Sequence, residues 1–478
     1  MQRSKTYSAL SLFDKYEQNR LRKYIISPYF NKNEGIIHLY EILIKNINKN
    51  IKVNTSKELS KEFIWSKIYS DKAYDDIRFR KLNSDLLKLV EGFLAQQIFD
   101  ENPLHQASYL IEAVGRRRLT KAYNTAEKTA RRLSEQQELK HANFYYYQYE
   151  IEKNISKIED NKFKRNERKN LEEIAKNLDR FYLAEKLKNY CSVLNDTKFI
   201  AHEYNLLFMN EIIAHTEKFK YEDVPPISIY YQIYLTQTSP EVEKHYFKLK
   251  ELLKENGLLF PIDEAEVIYN FAMNYCIRKG NQGKSNFVLE LYDVYNDYLI
   301  KVVKRWNGEL APWHFKNIVT VATRLEKYEW TEKFIADYKD KLPDEFRENA
   351  ISFNLARLYF SQKKYDEVIS MLREVEYEDI SYNVSSKALL VKTFYEKDEI
   401  EILFSISDSF RVFLQRQKNI PPLWRQNYLN LIKFTKKLAK LIPSDKKSLQ
   451  KIKDEIEKTD KGAIEPWILE KIKEIEEK

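Results

Sequence analysis

Two amphipathic segments joined by a short polar turn occupy residues 349–399, and they constrain the fold more than any other feature of the sequence. At helical spacing, each segment places apolar side chains on one face. These faces consist of Leu355, Ala356 and Tyr359 in the first segment and of Val368, Met371 and Leu372 in the second. A single hairpin of this kind cannot bury both of its apolar faces, so it needs neighbours stacked on either side. The pattern therefore predicts an array of helical hairpins.

The same register recurs at intervals of about 34 to 47 residues, as expected for a helical-repeat array. Upstream copies of the first-helix pattern start at Phe271 and Ile318, and a downstream copy starts at Leu389. The alternative is an irregular helical bundle in which the spacing arises by chance.

The hairpin resembles a tetratricopeptide repeat, in which a large, a small and an aromatic residue follow one another along the first helix. Ala356 takes the place of the small residue, whereas Val368 and Ile380 stand where that family usually has alanine and proline. The resemblance implies an α-solenoid whose first helices line a concave groove. In that family, asparagine and basic side chains of the groove often clamp a bound peptide.

The composition favours helices. Of the 478 residues only 8 are glycine and 12 are proline, which is few for a protein with many β-turns. A hydrophobic fraction of 43% and a charged fraction of 32% are typical of a folded chain with a polar, hydrated surface. We therefore predict an all-α fold, with an N-terminal helical section followed by a tetratricopeptide-like α-solenoid. The predicted sections are residues 1–104, a repeat array at 105–440 that is clearest at 265–410, and a charged helical cap or tail at 441–478.

The N-terminal section resembles two kinds of protein. Residues 27–31 and 80–86 are similar to the opening of helical-repeat proteins of unknown activity that are common in Bacteroidetes. A helix, a loop and a longer helix with an arginine at its start also resemble a winged helix, which some bacterial regulators join to tetratricopeptide repeats. Against the winged helix, residues 94–99 continue the helical pattern, and no alternating strand pattern for a wing follows Phe93. A transcriptional regulator with a DNA-binding N-terminal section is the alternative function.

The sequence contains no recognisable catalytic or metal-binding motif. Cys191 and Cys276 lie far apart, and the seven histidines show no metal-ligand spacing. The segment 283–285 ends like a phosphate-binding loop, but Arg278 stands where that loop needs its first glycine. We therefore predict no catalytic residue, no metal and no cofactor. An active site assembled from distant residues stays open as an alternative.

The candidate binding residues are polar side chains of the first helices in the repeats. Three of the asparagines fall at the same position in three units, directly before the large residue. Asparagine amides and cations can bind the backbone or a carboxylate of a peptide. Asparagines that are merely tolerated on an exposed face are the alternative. The candidates are Asn270, Asn274, Asn317, Arg324, Asn354, Arg357 and Lys387.

The leading hypothesis is a non-enzymatic scaffold that binds a protein or peptide, whose identity the sequence does not give. The formal net charge of +9 arises from 81 basic and 72 acidic residues, a modest excess that does not argue for a nucleic-acid partner. No apolar run approaches the roughly 20 residues needed to span a bilayer. Because no signal-peptide core is present either, we expect a cytoplasmic protein. The oligomeric state cannot be read from the sequence.

Overall fold

The computed structural model describes residues 1, 4–49, 59–160, 170–197, 202–373, 380–441, 446–459 and 466–477. These residues form 23 α-helices and contain no strand, which confirms the predicted all-α fold. No helix in the described ranges is long and apolar enough to cross a membrane. The chain divides into two compact units, one of residues 1–137 and 145–178 and one of residues 138–144 and 179–478. The section boundaries at residues 104 and 440 stay a prediction, and residues 442–445, 460–465 and 478 of the predicted C-terminal section lie outside the described residues.

The first unit contains helices α1 to α7, and it shares α8 and α9 with the second unit. The bounds are α1 Lys5–Ser11, α2 Lys15–Ile26, α3 Glu34–Asn48, α4 Lys61–Ile68, α5 Asp76–Asp100, α6 Pro103–Arg116, α7 Thr120–Gln136, α8 Ala142–Asp160 and α9 Leu171–Asp196.

Helix α5 is the central helix of the first five, and it packs against each of the other four. Its buried side chains recur at three- and four-residue steps, as the sequence pattern predicts. They are Phe79, Leu82, Leu86, Val90 and Phe93. The helix continues without a break to Asp100, and the described residues of this section hold no strand that could form a wing. The winged-helix alternative therefore gains no support from the fold.

The second unit is a succession of shorter helices, most of which pack in consecutive pairs. The bounds are α10 Met209–Phe219, α11 Pro225–Thr238, α12 Glu243–Asn256, α13 Ile262–Asn281, α14 Asn286–Tyr298, α15 Pro312–Arg324, α16 Tyr328–Tyr338, α17 Asp344–Ser361, α18 Tyr365–Arg373, α19 Ile380–Glu396, α20 Ile400–Arg416, α21 Pro422–Ala439, α22 Lys446–Glu457 and α23 Pro466–Glu476. Proline opens α11, α15, α21 and α23, because the missing N–H costs nothing in the first turn of a helix.

Five hairpins in the described part of the chain close with the same turn. The residues in the left-handed conformation are Arg118, Gly283, Glu326, Lys363 and Asp398. Each of them donates its backbone N–H to the carbonyl three residues earlier at 3.0 to 3.1 Å, and the following residue donates to the carbonyl five residues earlier at 2.9 to 3.1 Å. These two hydrogen bonds satisfy carbonyls at the end of the first helix that have no partner inside it. The recurrence of one closure makes the hairpins of α13 to α20 structurally alike.

Replacing Lys363 by glycine should stabilise the second unit, because a side chain strains the left-handed backbone and glycine does not. We expect a gain of about 0.5 to 1 kcal/mol in the free energy of unfolding, measured by urea titration. The matched control is Glu367→Gly in the neighbouring helix α18, which should lose about 0.5 to 1 kcal/mol. A loss of stability in Lys363→Gly would contradict the assigned turn.

A buried carboxylate connects four separate segments of the second unit. Glu264 on α13 accepts a hydrogen bond from the hydroxyl of Tyr230 at 2.9 Å. The other carboxylate oxygen lies 3.3 Å from Nζ of Lys188 and 3.7 Å from Nδ1 of His141. Burial, with Glu264 as the next cause, raises the pKa of the Tyr230 hydroxyl, so this group stays protonated as a donor. The carboxylate thereby joins the segment at residues 138–144, α9, α11 and α13.

Substituting Glu264 by alanine should destabilise the second unit, since Tyr230 and Lys188 would both lose their acceptor. We expect a loss of about 2 to 4 kcal/mol in the free energy of unfolding. Glu264→Gln should lose less, because the amide oxygen can still accept from Tyr230. The exposed Glu255→Ala is the control, and an equal effect of all three variants would argue against this role.

The last helix of the described chain, α23, packs against α21. Its Trp467 donates from Nε1 to Glu396 of α19 at 2.8 Å, and Lys471 pairs with the same carboxylate at 2.8 Å. Both side chains of this ion pair are largely withdrawn from solvent. Helix α23 is therefore fixed to α19 by a specific polar contact in addition to apolar packing.

Candidate ligand-binding groove

Four of the predicted binding residues converge on one surface of the second unit. Asn270 and Asn274 lie on α13, and Asn317 and Arg324 lie on α15. They line two adjacent cavities, which we name the His314 cavity and the Arg324 cavity.

The His314 cavity has a volume of about 350 Å³, within the usual range of ligand pockets of about 300 to 1,000 Å³. Four of its lining side chains are carboxamides, and none carries a permanent charge. The apolar part of the wall comes from aromatic and aliphatic side chains. The lining residues are Asn195, Val267, Asn270, Phe271, Met273, Asn274, Ile277, Tyr295, Trp313, His314 and Asn317.

The Arg324 cavity is smaller, with a volume of about 180 Å³, and its wall is more apolar. Its lining residues are Cys276, Ile277, Gly280, Asn281, Phe287, Val288, Leu291, Tyr295, Asn317, Thr320, Val321 and Arg324. Ile277, Tyr295 and Asn317 line both cavities, so the two cavities form one groove.

Helices α13 and α15 form the two walls of the groove and run in the same direction. Both place their N-terminal residues at the His314 cavity and their C-terminal residues at the Arg324 cavity. Between them, α14 contributes Phe287, Leu291 and Tyr295. His314 and Arg324 are ten residues apart on α15, which corresponds to roughly 15 Å at the rise of an α-helix. Four or five residues of an extended peptide span about this distance.

His314 forms an uncharged polar group in the wall of the cavity. The residue is only 5% exposed, and burial lowers its pKa to about 4. Its Nδ1 has no hydrogen-bond partner among the described residues. Its ring lies 5.2 Å from that of Tyr298 and 5.6 Å from that of Trp313, measured between centroids. At neutral pH this imidazole is therefore neutral and buried, and its Nδ1 is unsatisfied.

The other polar groups of the groove are largely available to a ligand. Asn317 interacts with the hydroxyl of Tyr295, whose pKa is raised by burial. Within the described ranges, the side chains of Asn270, Asn274 and Arg324 have no hydrogen bond or ion pair with the protein. Asn274 and Arg324 are exposed, and Asn270 is half-buried. The groove thus has two free amides in the His314 cavity and a free cation at the end of the Arg324 cavity.

The structure does not bring the remaining three predicted residues to this groove. Asn354 is fully buried, and its amide donates to the carbonyl of Ala350 at 2.7 Å. The prediction that Asn354 is a binding residue of the groove is therefore wrong, because α17 packs directly against both α15 and α19 and covers that face. Arg357 is half-buried and engaged in a contact of its own, and Lys387 lies over the ring of Phe413. Neither residue lines the two cavities.

Sequence reasoning missed His314, Trp313, Tyr295 and Asn195 as groove residues. His314 precedes Asn317 by three positions, so the helical period could have placed the two side chains on the same side of α15. Asn195 lies at the end of α9, and no sequence pattern connects it to α13 or α15.

The low pKa of His314 makes stability depend on pH. The folded state keeps this imidazole neutral, whereas the unfolded chain binds a proton near the ordinary histidine pKa of about 6.5. The contribution of the neutral His314 side chain to the free energy of unfolding is therefore fully present above that pKa and is lost as the pH falls toward about 4.

When the pH is lowered from 7 to 5, the free energy of unfolding of the unchanged protein should fall by roughly 2 kcal/mol more than that of His314→Gln. Urea titrations at both pH values measure this difference. His202→Gln, at an exposed position, is the control, and an equal pH dependence of His314→Gln and the unchanged protein would contradict the prediction.

Comparison with known proteins gives no relative from which a function could be transferred. No family model, no curated protein and no solved structure matches the chain.

Proposed function

We propose that this protein is a non-enzymatic interaction scaffold that binds a protein or peptide segment in the groove between α13 and α15. The observation that carries the proposal is the convergence of Asn270, Asn274, Asn317 and Arg324 on one continuous groove. Asn274 and Arg324 are exposed, and neither side chain has a hydrogen bond or ion pair with the described part of the protein. Their amide and guanidinium groups are therefore accessible to an external ligand.

The chemistry of the groove matches an extended polypeptide. Each peptide unit offers one N–H donor and one C=O acceptor, and each asparagine amide can complement both. The groove is long enough for four or five extended residues. Arg324 at one end can bind a carboxylate, from an acidic side chain or a chain terminus, with a charge-assisted hydrogen bond.

Nucleic acid fits the groove less well. Of the residues that line the two cavities, Arg324 is the single permanently charged one, whereas proteins that bind nucleic acid neutralise several phosphates. We therefore propose a protein partner and no nucleic acid. A relationship to tetratricopeptide-repeat proteins and a cytoplasmic location are part of the same proposal. The repeated turn of the hairpins α13 to α20 supports that relationship.

The double substitution Asn274→Ala and Arg324→Ala tests the proposal. Both side chains are exposed and unpaired, so the variant should keep its helicity and melting temperature. A lost charge-assisted hydrogen bond contributes about 1.5 to 3 kcal/mol. The dissociation constant for the partner should therefore rise at least roughly tenfold. The partner is captured from native cell extract with a photo-crosslinking residue at position 320, inside the groove.

The control variant is Lys333→Ala on α16, which exchanges an exposed cation outside the groove. A crosslinking residue at position 333 should not capture the same partner. If the double variant bound the captured partner as tightly as Lys333→Ala does, the groove would not be the binding site.

A further inference from the structure

The first unit contains a separate cavity between α3 and α4, which we name the Lys45 cavity. Its volume of about 540 Å³ is within the usual range of ligand pockets of about 300 to 1,000 Å³. The lining residues from position 38 to position 49 follow one another at three- and four-residue steps, so they form one stripe along α3 and its C-cap. Helix α4 supplies the opposite wall. The lining residues are His38, Glu41, Ile42, Lys45, Asn46, Lys49, Phe63 and Lys67.

The lining of the Lys45 cavity is cationic and accessible to solvent. Its three lysines, Lys45, Lys49 and Lys67, are all exposed. Among the lining residues the one carboxylate is that of Glu41, which precedes Lys45 by one helical turn and accepts instead from Arg22 of α2 at 2.7 Å. Lys45 has no hydrogen bond or ion pair within the described ranges, whereas Lys49 has a contact of its own. The cavity therefore keeps an excess of positive charge.

The spacing of these cations suits a phosphate group. Lys45 and Lys49 are four residues apart on one face, where like charges repel each other, and Lys67 lines the same cavity from α4. An anion bound among the ammonium groups would relieve this repulsion. A phosphate group offers up to about two negative charges and three acceptor oxygens, whereas a carboxylate offers one charge and two oxygens. The cavity therefore favours a phosphate over the acidic side chain of a peptide.

The apolar part of the cavity suits an organic phosphate better than a free phosphate ion. Phe63 is 38% exposed and Ile42 is half-buried, so both side chains leave apolar surface uncovered. Nζ of Lys67 lies 5.5 Å from the centroid of the Phe63 ring, so aromatic surface and positive charge are adjacent. A planar base linked to phosphates can use both, because nucleobases stack on aromatic side chains.

We infer that the Lys45 cavity binds a nucleotide, with its phosphates at Lys45 and Lys67 and its base against Phe63. This site is separate from the groove of the second unit, because no residue lines both. The inference therefore does not rest on peptide binding by the groove. It gives the first unit a small-molecule ligand of its own.

Isothermal titration calorimetry of the full-length protein with ATP and with inorganic pyrophosphate tests the inference. We expect both ligands to bind, and ATP to bind more tightly, because pyrophosphate leaves Phe63 uncovered. Both affinities should fall as the salt concentration rises, since salt screens the attraction between exposed charges.

Variants of the protein separate the contribution of the cations from that of the aromatic ring. Lys45→Ala removes a charge-assisted hydrogen bond to phosphate, so it should weaken the binding of both ligands at least roughly tenfold. Phe63→Ala should weaken ATP binding at least roughly fivefold and leave pyrophosphate binding unchanged. Glu41→Gln should strengthen both, because it removes the negative charge from the lining. The control is Lys81→Ala, which removes an exposed cation of α5 outside the cavity and should change neither affinity.

An octauridylate strand and phosphatidylglycerol vesicles distinguish a nucleotide from larger phosphate-bearing ligands. The inference would be overturned if ATP did not bind, or if Lys45→Ala and Lys81→Ala bound ATP equally well. Pyrophosphate binding as tightly as ATP would show an inorganic phosphate site and would also overturn it. Binding of the strand or of the vesicles without binding of ATP would overturn it in favour of a nucleic-acid or membrane surface.

Discussion

Burial of apolar residues on more than one side of a helix is the constraint on which the second unit depends. Helix α13 buries residues all along its length, among them Ile268, Ala272 and Cys276. Packing against α11, α12 and α14 covers these residues. Only one stripe of α13 is left uncovered, and it runs from residue 267 through residues 270, 274 and 277. The groove is therefore a consequence of how the hairpins bury their apolar faces.

The groove differs from the Glu264 cluster in the state of its polar groups. The carboxylate of Glu264 is buried and paired with Tyr230 and Lys188. In the groove, Asn270, Asn274 and Arg324 have no partner in the described structure, and His314 has an unsatisfied nitrogen. Departures from the rule that polar groups are satisfied are expected at functional sites, where a ligand completes the pairing. This contrast is the physical basis for assigning function to the groove and not to the Glu264 cluster.

Asn317 and Asn354 show how far sequence register can be trusted. They hold the same position in consecutive predicted repeats, yet Asn317 lines both cavities and Asn354 is completely buried. The difference arises from their neighbours. Helix α17 lies directly against α15 on one side and α19 on the other, whereas α13 and α15 leave the groove between them. Register places a side chain on a face of its helix, and the spacing of the adjacent helices decides whether that face is open.

The sequence by itself determined the all-α fold and the turns of the hairpins, because helical periodicity and polar breaks are local properties. The turns at Lys363 and Asp398, for example, lie where the apolar pattern is interrupted. The sequence also supplied Asn270, Asn274, Asn317 and Arg324 as candidates, since all four lie on the polar stripes of amphipathic helices. Only the tertiary structure decided that Asn195 joins them, that His314 is buried, and that Asn354 does not line the groove. Those outcomes depend on where helices from distant parts of the chain pack against one another, and no local pattern in the sequence encodes that geometry.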